Sequence, residues 1–455
     1  MTEMPFGSAR PLKGVLLLGA GCSILLCYAI ATSSWVVGSI EGGWTYNYVR
    51  PFALRQLLVA AGVSAAAALL LRAPIAGQRV WVMLVAWVMF ASAAHGLMYS
   101  IAPYDLEQLF VSPAANSFYT LTQERDASDL LERFNRVRLQ APWHARSNMP
   151  GKTMLTYALT LVTERTDVLP WLVVLVSNLG ALLMYAFVRE AFDDRRSAFY
   201  SAVLYLFVPS RVFFFPLMNT VTPVVALACG CLLVRWIRTG SVVWAVLLGA
   251  ALYGLVFFEP LPLVLGLLFA ALAGLALHCR TISPDRFVLQ SCAMLVAFIA
   301  TVELVVVLSG FDLLRAFRQI HAHALEFNVV EARAYGLWVR ANLWEFLFGV
   351  GMAQALLLIV APVVGPVQAR GWRARLFTPI AAVSIGLLAV LLVTDLLGVN
   401  RGEVIRLWIF LACFCQIPAA YACARFTGHG AIALVLGLTI LQITLGTAMI
   451  RFIIP

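Results

Sequence analysis

The few ionisable side chains of this strongly apolar sequence collect at a handful of places, and their types bound the chemistry on offer. Asp105 directly follows the third long apolar run, with Glu107 two residues further on. An aspartate so placed either takes a proton as a general base or caps the helix that follows. His144, Arg146, Asn148 and Lys152 set hydrogen-bond donors along one short polar stretch. Glu403 and Arg406 stand three residues apart at the start of a later apolar run, hence on one helix face, where they pair with each other or line a cavity. Glu259, between Phe258 and Pro260, and Arg211, after Pro209 and Ser210, mark the ends of further runs and are placed to face the same cavity.

Two other groupings carry less. His321, His323 and Glu326 suggest a metal, but residues two apart on a helix point about 200° from each other. No metal is assigned, and a divalent cation stays open only as an assistant to chemistry elsewhere. Asp193 and Asp194 precede Arg195 and Arg196 and read as a solvated loop.

Composition fixes the kind of element that must hold these groups. A chain of 455 residues that is 62% hydrophobic and 12% charged cannot fold as an ordinary soluble domain, so the bilayer is its solvent. Crossing about 30 Å of hydrocarbon takes roughly 20 mostly apolar residues, and lipid admits only helices or closed barrels. The runs here are long and continuous rather than alternating, which selects helices. Runs starting near Gly14, Leu54, Val80, Val168, Ala198, Thr220, Val242, Leu261, Phe287, Asn342, Leu376, Val404 and Ala431 predict an all-α polytopic protein of about thirteen spans. The run from Gly14 to Val37 is too long for a signal h-region and lacks a cleavage site, so it reads as an uncleaved span with a cytoplasmic N-terminus.

The net charge of +10 is scattered in short clusters rather than gathered into a stripe, which argues for membrane orientation and against nucleic acid. The turns Arg72 to Arg79, Arg189 to Arg196, Arg235 to Arg238, Arg280 to Arg286, Arg370 to Arg375 and the one after Arg425 are assigned to the cytoplasm. All nine cysteines lie in or beside apolar runs and read as free thiols. Two polar stretches, 103–167 and 309–341, then fall outside and are too long for simple turns. In the first, Leu130, Leu131, Phe134 and Val137 predict a surface helix begun at Asp126, and Lys152 to Leu161 a second after the Pro150-Gly151 turn. In the second, Phe311, Leu314, Phe317 and Ile320 predict another that lies flat.

The local text adds a likeness. His144-Ala145-Arg146-Ser147-Asn148-Met149-Pro150-Gly151 resembles the H-x-x-T-H-P-P-G loop of a bacterial group of GT-C-like membrane glycosyltransferases. Arg333-Ala334-Tyr335 with Trp338 and Asn342, and Asn400-Arg401-Gly402-Glu403-Val404 with Arg406-Leu407-Trp408, are similar to two further stretches of that group. The likeness runs from about Asp105 onward, so 1–79 read as two additional helices before a core at 80–455.

It implies a sugar donor carried on a polyprenyl phosphate, a membrane-lipid or envelope-glycan acceptor, and a carboxylate base near the outer end of a core helix. An acceptor hydroxyl must lose its proton as it attacks the anomeric carbon, and the leaving phosphate needs donors. On this pattern Asp105 is the first candidate base and Glu107 the second. His144, Arg146, Asn148, Lys152 and Arg406 become phosphate contacts, and Glu259, Arg211, Tyr335, Arg401 and Glu403 cavity residues. The chain departs from the pattern in carrying Asn148 for histidine and Met149 for proline, and 115–119 lack the acidic pair common before a tyrosine in such enzymes. Asparagine still donates hydrogen bonds but holds no charge. A transporter or flippase, and a silent relative that binds lipid, are the competing expectations.

Overall fold

The computed structural model describes residues 10–73, 79–364 and 376–455. The basic turn Arg370 to Arg375 lies outside them, as does most of that between Arg72 and Arg79. The described residues are helical apart from turns and one antiparallel hairpin, Val37–Ser39 with Trp44–Tyr46. Among the described residues eight helices are long and apolar enough to cross a membrane, or nine if the pair Tyr335–Val350 and Met352–Pro362, bent by 98°, counts as one. Leu54–Leu70, Val242–Phe258 and Ile409–Cys423 are shorter apolar helices. The chain is therefore an all-helical polytopic membrane protein.

Polar contacts sort the connections onto two faces. On one, Asp194 pairs with Arg425 at 2.6 Å, Tyr200 meets His429 at 2.9 Å and Glu190 pairs with Arg235 at 2.5 Å, which gathers the short basic turns. The long stretches 103–167 and 309–341 meet on the other face, where Arg138 donates to Gln319 at 3.1 and 3.3 Å.

The surface helices form with adjustments. The first breaks at Arg133 into Ala127–Glu132 and Phe134–Gln140, burying Leu130, Phe134 and Val137. The second spans Gly151–Thr160. In the other stretch, Leu313–Val330 buries Leu313, Ala316 and Ile320 and turns Leu314 outward, one position round from the expected face. The two N-terminal helices pack on later ones: Arg10–Ala31 on Met352–Val364 and Gly430–Met449, and Leu54–Leu70 also on the latter.

After helix Arg195–Leu206 the chain runs through a buried, largely irregular segment before the next long helix at Thr222–Thr239. Buried backbone groups must be paired, and side chains do it here. Arg211 donates to Leu206 O at 2.6 Å and Ser177 Oγ at 3.0 Å, and the one Tyr99 hydroxyl proton is shared between Val212 O at 2.8 Å and Phe215 O at 2.9 Å. Tyr99→Phe removes only that hydroxyl and takes the donor from the buried Phe215 O, while Val212 O keeps the N–H of Phe215 at 3.3 Å. The substitution is expected to cost about 1–3 kcal/mol, read as a lower midpoint of thermal unfolding in detergent; an unchanged midpoint would show that the Phe215 carbonyl finds another donor.

Candidate functional site

Helix Gly151–Thr160 lies hard against the end of helix Val242–Phe258: a β-carbon on Gly151 would stand 2.6 Å from Phe257 O and from Phe258 Cα. Only glycine permits this approach. It carries Lys152, fully buried, to 2.9 Å from Glu259 Oε2, and that oxygen also accepts from Thr222 Oγ1 at 2.5 Å. Lys152 Nζ donates to Asn148 Oδ1 at 2.8 Å as well, and Asn148 Nδ2 donates to His144 O at 2.8 Å. Asn148 thus holds the loop to the lysine.

His144 then meets the far end of the sequence. Arg406 Nη1 lies 3.2 Å from its Nε2 and 3.4 Å from its Nδ1. Arg406 Nη2 donates to Glu403 Oε2 at 2.6 Å, and Arg333 Nη2 to Glu403 Oε1 at 3.1 Å. A continuous polar chain therefore runs from Thr222 through Glu259, Lys152, Asn148, His144, Arg406 and Glu403 to Arg333. It links both long stretches to two helix ends.

The Glu403 end is a strained turn. Gly402 has φ +81°, and a β-carbon there would meet the Trp338 ring at 2.8 Å. Glu403 itself has φ +60°, a left-handed conformation that costs a non-glycine residue about 1–3 kcal/mol and persists only when its surroundings hold it. They do. Asn342 Oδ1 accepts from Gly402 N at 2.9 Å, Glu345 Oε2 from Val404 N at 2.9 Å, and Arg401 Nη1 donates to Arg333 O at 2.7 Å. Arg401 also stacks over Tyr335, whose hydroxyl donates to Leu396 O at 2.7 Å, so both of these residues brace the turn.

Cations outnumber anions along the chain. Lys152, Arg333 and Arg406 are its cations against Glu259 and Glu403, with Glu345 under the turn; Arg146 stands between His144 and Asn148 in sequence, and Arg138 Nη1 donates to its carbonyl at 3.0 Å. The Nε atoms of Arg146 and Arg406 are buried with no hydrogen-bond partner among the described residues. Burial and the charges of Arg406 and Lys152 push His144 down to about 3, so its ring is neutral and accepts from Arg406. Burial, against the pull of Glu259 and with some help from Arg406, leaves Lys152 below the ordinary lysine range. Such a surplus of donors suits an anion with several acceptor oxygens.

The other sequence candidates stand apart. Asp105 is exposed and caps helix Leu106–Val111: its Oδ1 accepts from Gln108 N at 2.7 Å. Glu107 Oε1 accepts from Thr166 Oγ1 at 2.5 Å, clasping the two ends of the first long stretch. Arg211 sits in the buried knot described above, fully enclosed. Asp105→Ala is expected to cost about 1 kcal/mol of stability from the lost cap and to leave any transfer rate unchanged; a rate loss of about 10²-fold or more would make it the base.

Sequence reasoning had Arg333 only as part of a motif and passed over Glu345, buried in helix Tyr335–Val350 with Oε1 lacking a hydrogen-bond partner among the described residues. The signal was available, because a carboxylate within an apolar run is costly and marks a site or its support. Arg138 carried no such signal. No family model matches the chain, and no curated protein matches it either.

Proposed function

We propose that the protein is a GT-C-like glycosyltransferase of about thirteen crossings in a bacterial cytoplasmic membrane, working on the extracytoplasmic face with its N-terminus in the cytoplasm. It moves a sugar, with inversion, from a polyprenyl phosphate to a membrane-lipid or envelope-glycan hydroxyl. The observation that carries the reading is the contact of His144 with Arg406, which joins the loop and the later turn that separately resemble such enzymes into one cationic chain. Its place at the ends of apolar helices suits a phosphate presented from the bilayer surface.

The acceptor oxygen attacks the anomeric carbon and gives its proton to a carboxylate, while the bond from that carbon to the phosphate oxygen breaks and its electron pair leaves with the lipid phosphate. Lys152, Arg406 and Arg146 take up the charge on the leaving group. Within the chain the carboxylates are Glu259 and Glu403. A phosphate on Arg406 draws that guanidinium from Glu403 and leaves the carboxylate to accept the proton, with Arg333 holding it in place.

One observation favours a second reading, a lipid-phosphate binder without turnover: both carboxylates are already committed to ion pairs, Glu259 to Lys152 and Glu403 to Arg333 and Arg406. Purified protein in lipid nanodiscs, given a panel of polyprenyl-phosphate sugars with envelope acceptors, distinguishes them. Release of free polyprenyl phosphate supports transfer. Saturable binding of the donor without release supports the binder, and absence of both sinks the two readings together.

A further inference from the structure

The helices nearest the basic face leave an opening on the side of the bundle. Helix Pro284–Ser309 packs on Val242–Phe258, and helix Gly266–His278 packs instead on Pro379–Leu396. Between the first pair and Gly266–His278 lies a cavity of about 290 Å³, close to the lower bound of ordinary ligand sites, lined by Leu252, Phe269, Ala270, Ala273, Phe287 and Met294 among others. Its lining is apolar save for Ser291 and ring nitrogen of Trp236, and the latter is engaged by Gln290 Oε1 at 2.5 Å. Trp236 and Phe287, stacked with centroids 5.4 Å apart, form its wall next to the basic face. The most apolar stretch of Pro284–Ser309 has no buried residue, so this side of the bundle meets lipid.

Charge stands at the same end. Arg286 precedes the cavity residue Phe287, and Arg280 lies in the turn joining the two helices that flank the opening. Both are exposed, and neither has an ion-pair partner among the described residues, unlike Arg235, which Glu190 holds. The exposed Asp285 beside Arg286 forms no ion pair among the described residues, so an apolar slot open to the bilayer has two guanidiniums against one carboxylate at its basic-face end, complementary to a hydrocarbon chain bearing a phosphate.

We infer that this cavity holds one acyl chain of an anionic phospholipid from the leaflet at the basic face, with the phosphate on Arg280 and Arg286. The inference does not rest on the glycosyl-transfer reading: its phosphate contacts, Arg280 and Arg286, stand at the basic face, although the apolar lining runs as far as Leu255, Pro262 and Leu263 near Glu259. A lipid there fills space that would otherwise lack packing partners between diverging helices.

The full-length protein, purified in mild detergent and offered vesicle-derived phosphatidylglycerol or phosphatidylethanolamine, tests this by native mass spectrometry. The expected result is a retained phosphatidylglycerol, preferred over phosphatidylethanolamine by on the order of 10- to 30-fold, the preference two arginines near a membrane surface supply. Arg280→Gln with Arg286→Gln removes the preference. Ala270→Trp, at an exposed wall position, fills the slot and abolishes retention while the protein stays folded. Retention that ignores lipid charge, that survives Ala270→Trp, or that occurs only with a polyprenyl phosphate overturns the proposal, as does no retention at all.

Discussion

Lys152→Met is expected to lower transfer from a lipid-phosphate sugar by on the order of 10²–10³-fold, the loss that follows removal of one preorganised donor at developing negative charge. The lysine is fully buried, so no solvent competes for its charge, and its partners Glu259 and Asn148 fix its direction. The single variant also leaves Glu259 buried without a countercharge, which costs about 3–5 kcal/mol and risks the fold itself. Lys152→Met with Glu259→Gln removes both charges and restores the thermal midpoint. If the double variant regains stability yet stays slow, the Lys152–Glu259 pair acts on the reaction, and Glu259→Gln alone assigns the share of the carboxylate; if it regains both, the pair only held the loop.

The pH profile gives a second readout of the same residue. Only the protonated ammonium holds a phosphate, and Lys152 lies below the ordinary lysine value of 10.5, so donor binding falls at a lower pH on the alkaline side than an ordinary lysine would set. The double variant lacks that limb. His144, pushed down to about 3, is neutral across the range from about pH 5 to 8 and adds no inflection there.

Glu403→Gln is expected to slow turnover by about 10²–10⁴-fold, the usual share of a positioned proton acceptor, while donor binding is retained or tightened. Glutamine keeps the size and one acceptor oxygen, so Arg333 and Arg406 keep a hydrogen-bond partner, and the removed negative charge leaves more cation for phosphate. A drop in binding with an unchanged rate at saturation would assign Glu403 to positioning Arg406. An unchanged rate and affinity would detach this turn from the site altogether. Rescue by Glu403→Asp separates loss of the carboxylate from disturbance of the left-handed turn, because aspartate tolerates that conformation better than most residues.

Much was legible in the sequence because it depends on local order. Continuous apolar runs required helices, basic clusters between them marked one set of turns, and helical spacing foretold three surface helices, of which that at Lys152 is off by one residue, the first breaks at Arg133 and the last runs on from Leu313 to Val330. The ion pair of Glu403 with Arg406 was likewise a matter of three-residue spacing. What only the tertiary structure decided was which distant groups meet. His144 reaches Arg406 across 262 positions and Lys152 reaches Glu259 because helices pack closely at Gly151, and no periodicity encodes such a pairing. The same packing turned Asp105 outward as a cap and enclosed Arg211 among backbone carbonyls. Residue type and spacing determine what a group can do, but contact between chain segments determines whether it stands where the chemistry is.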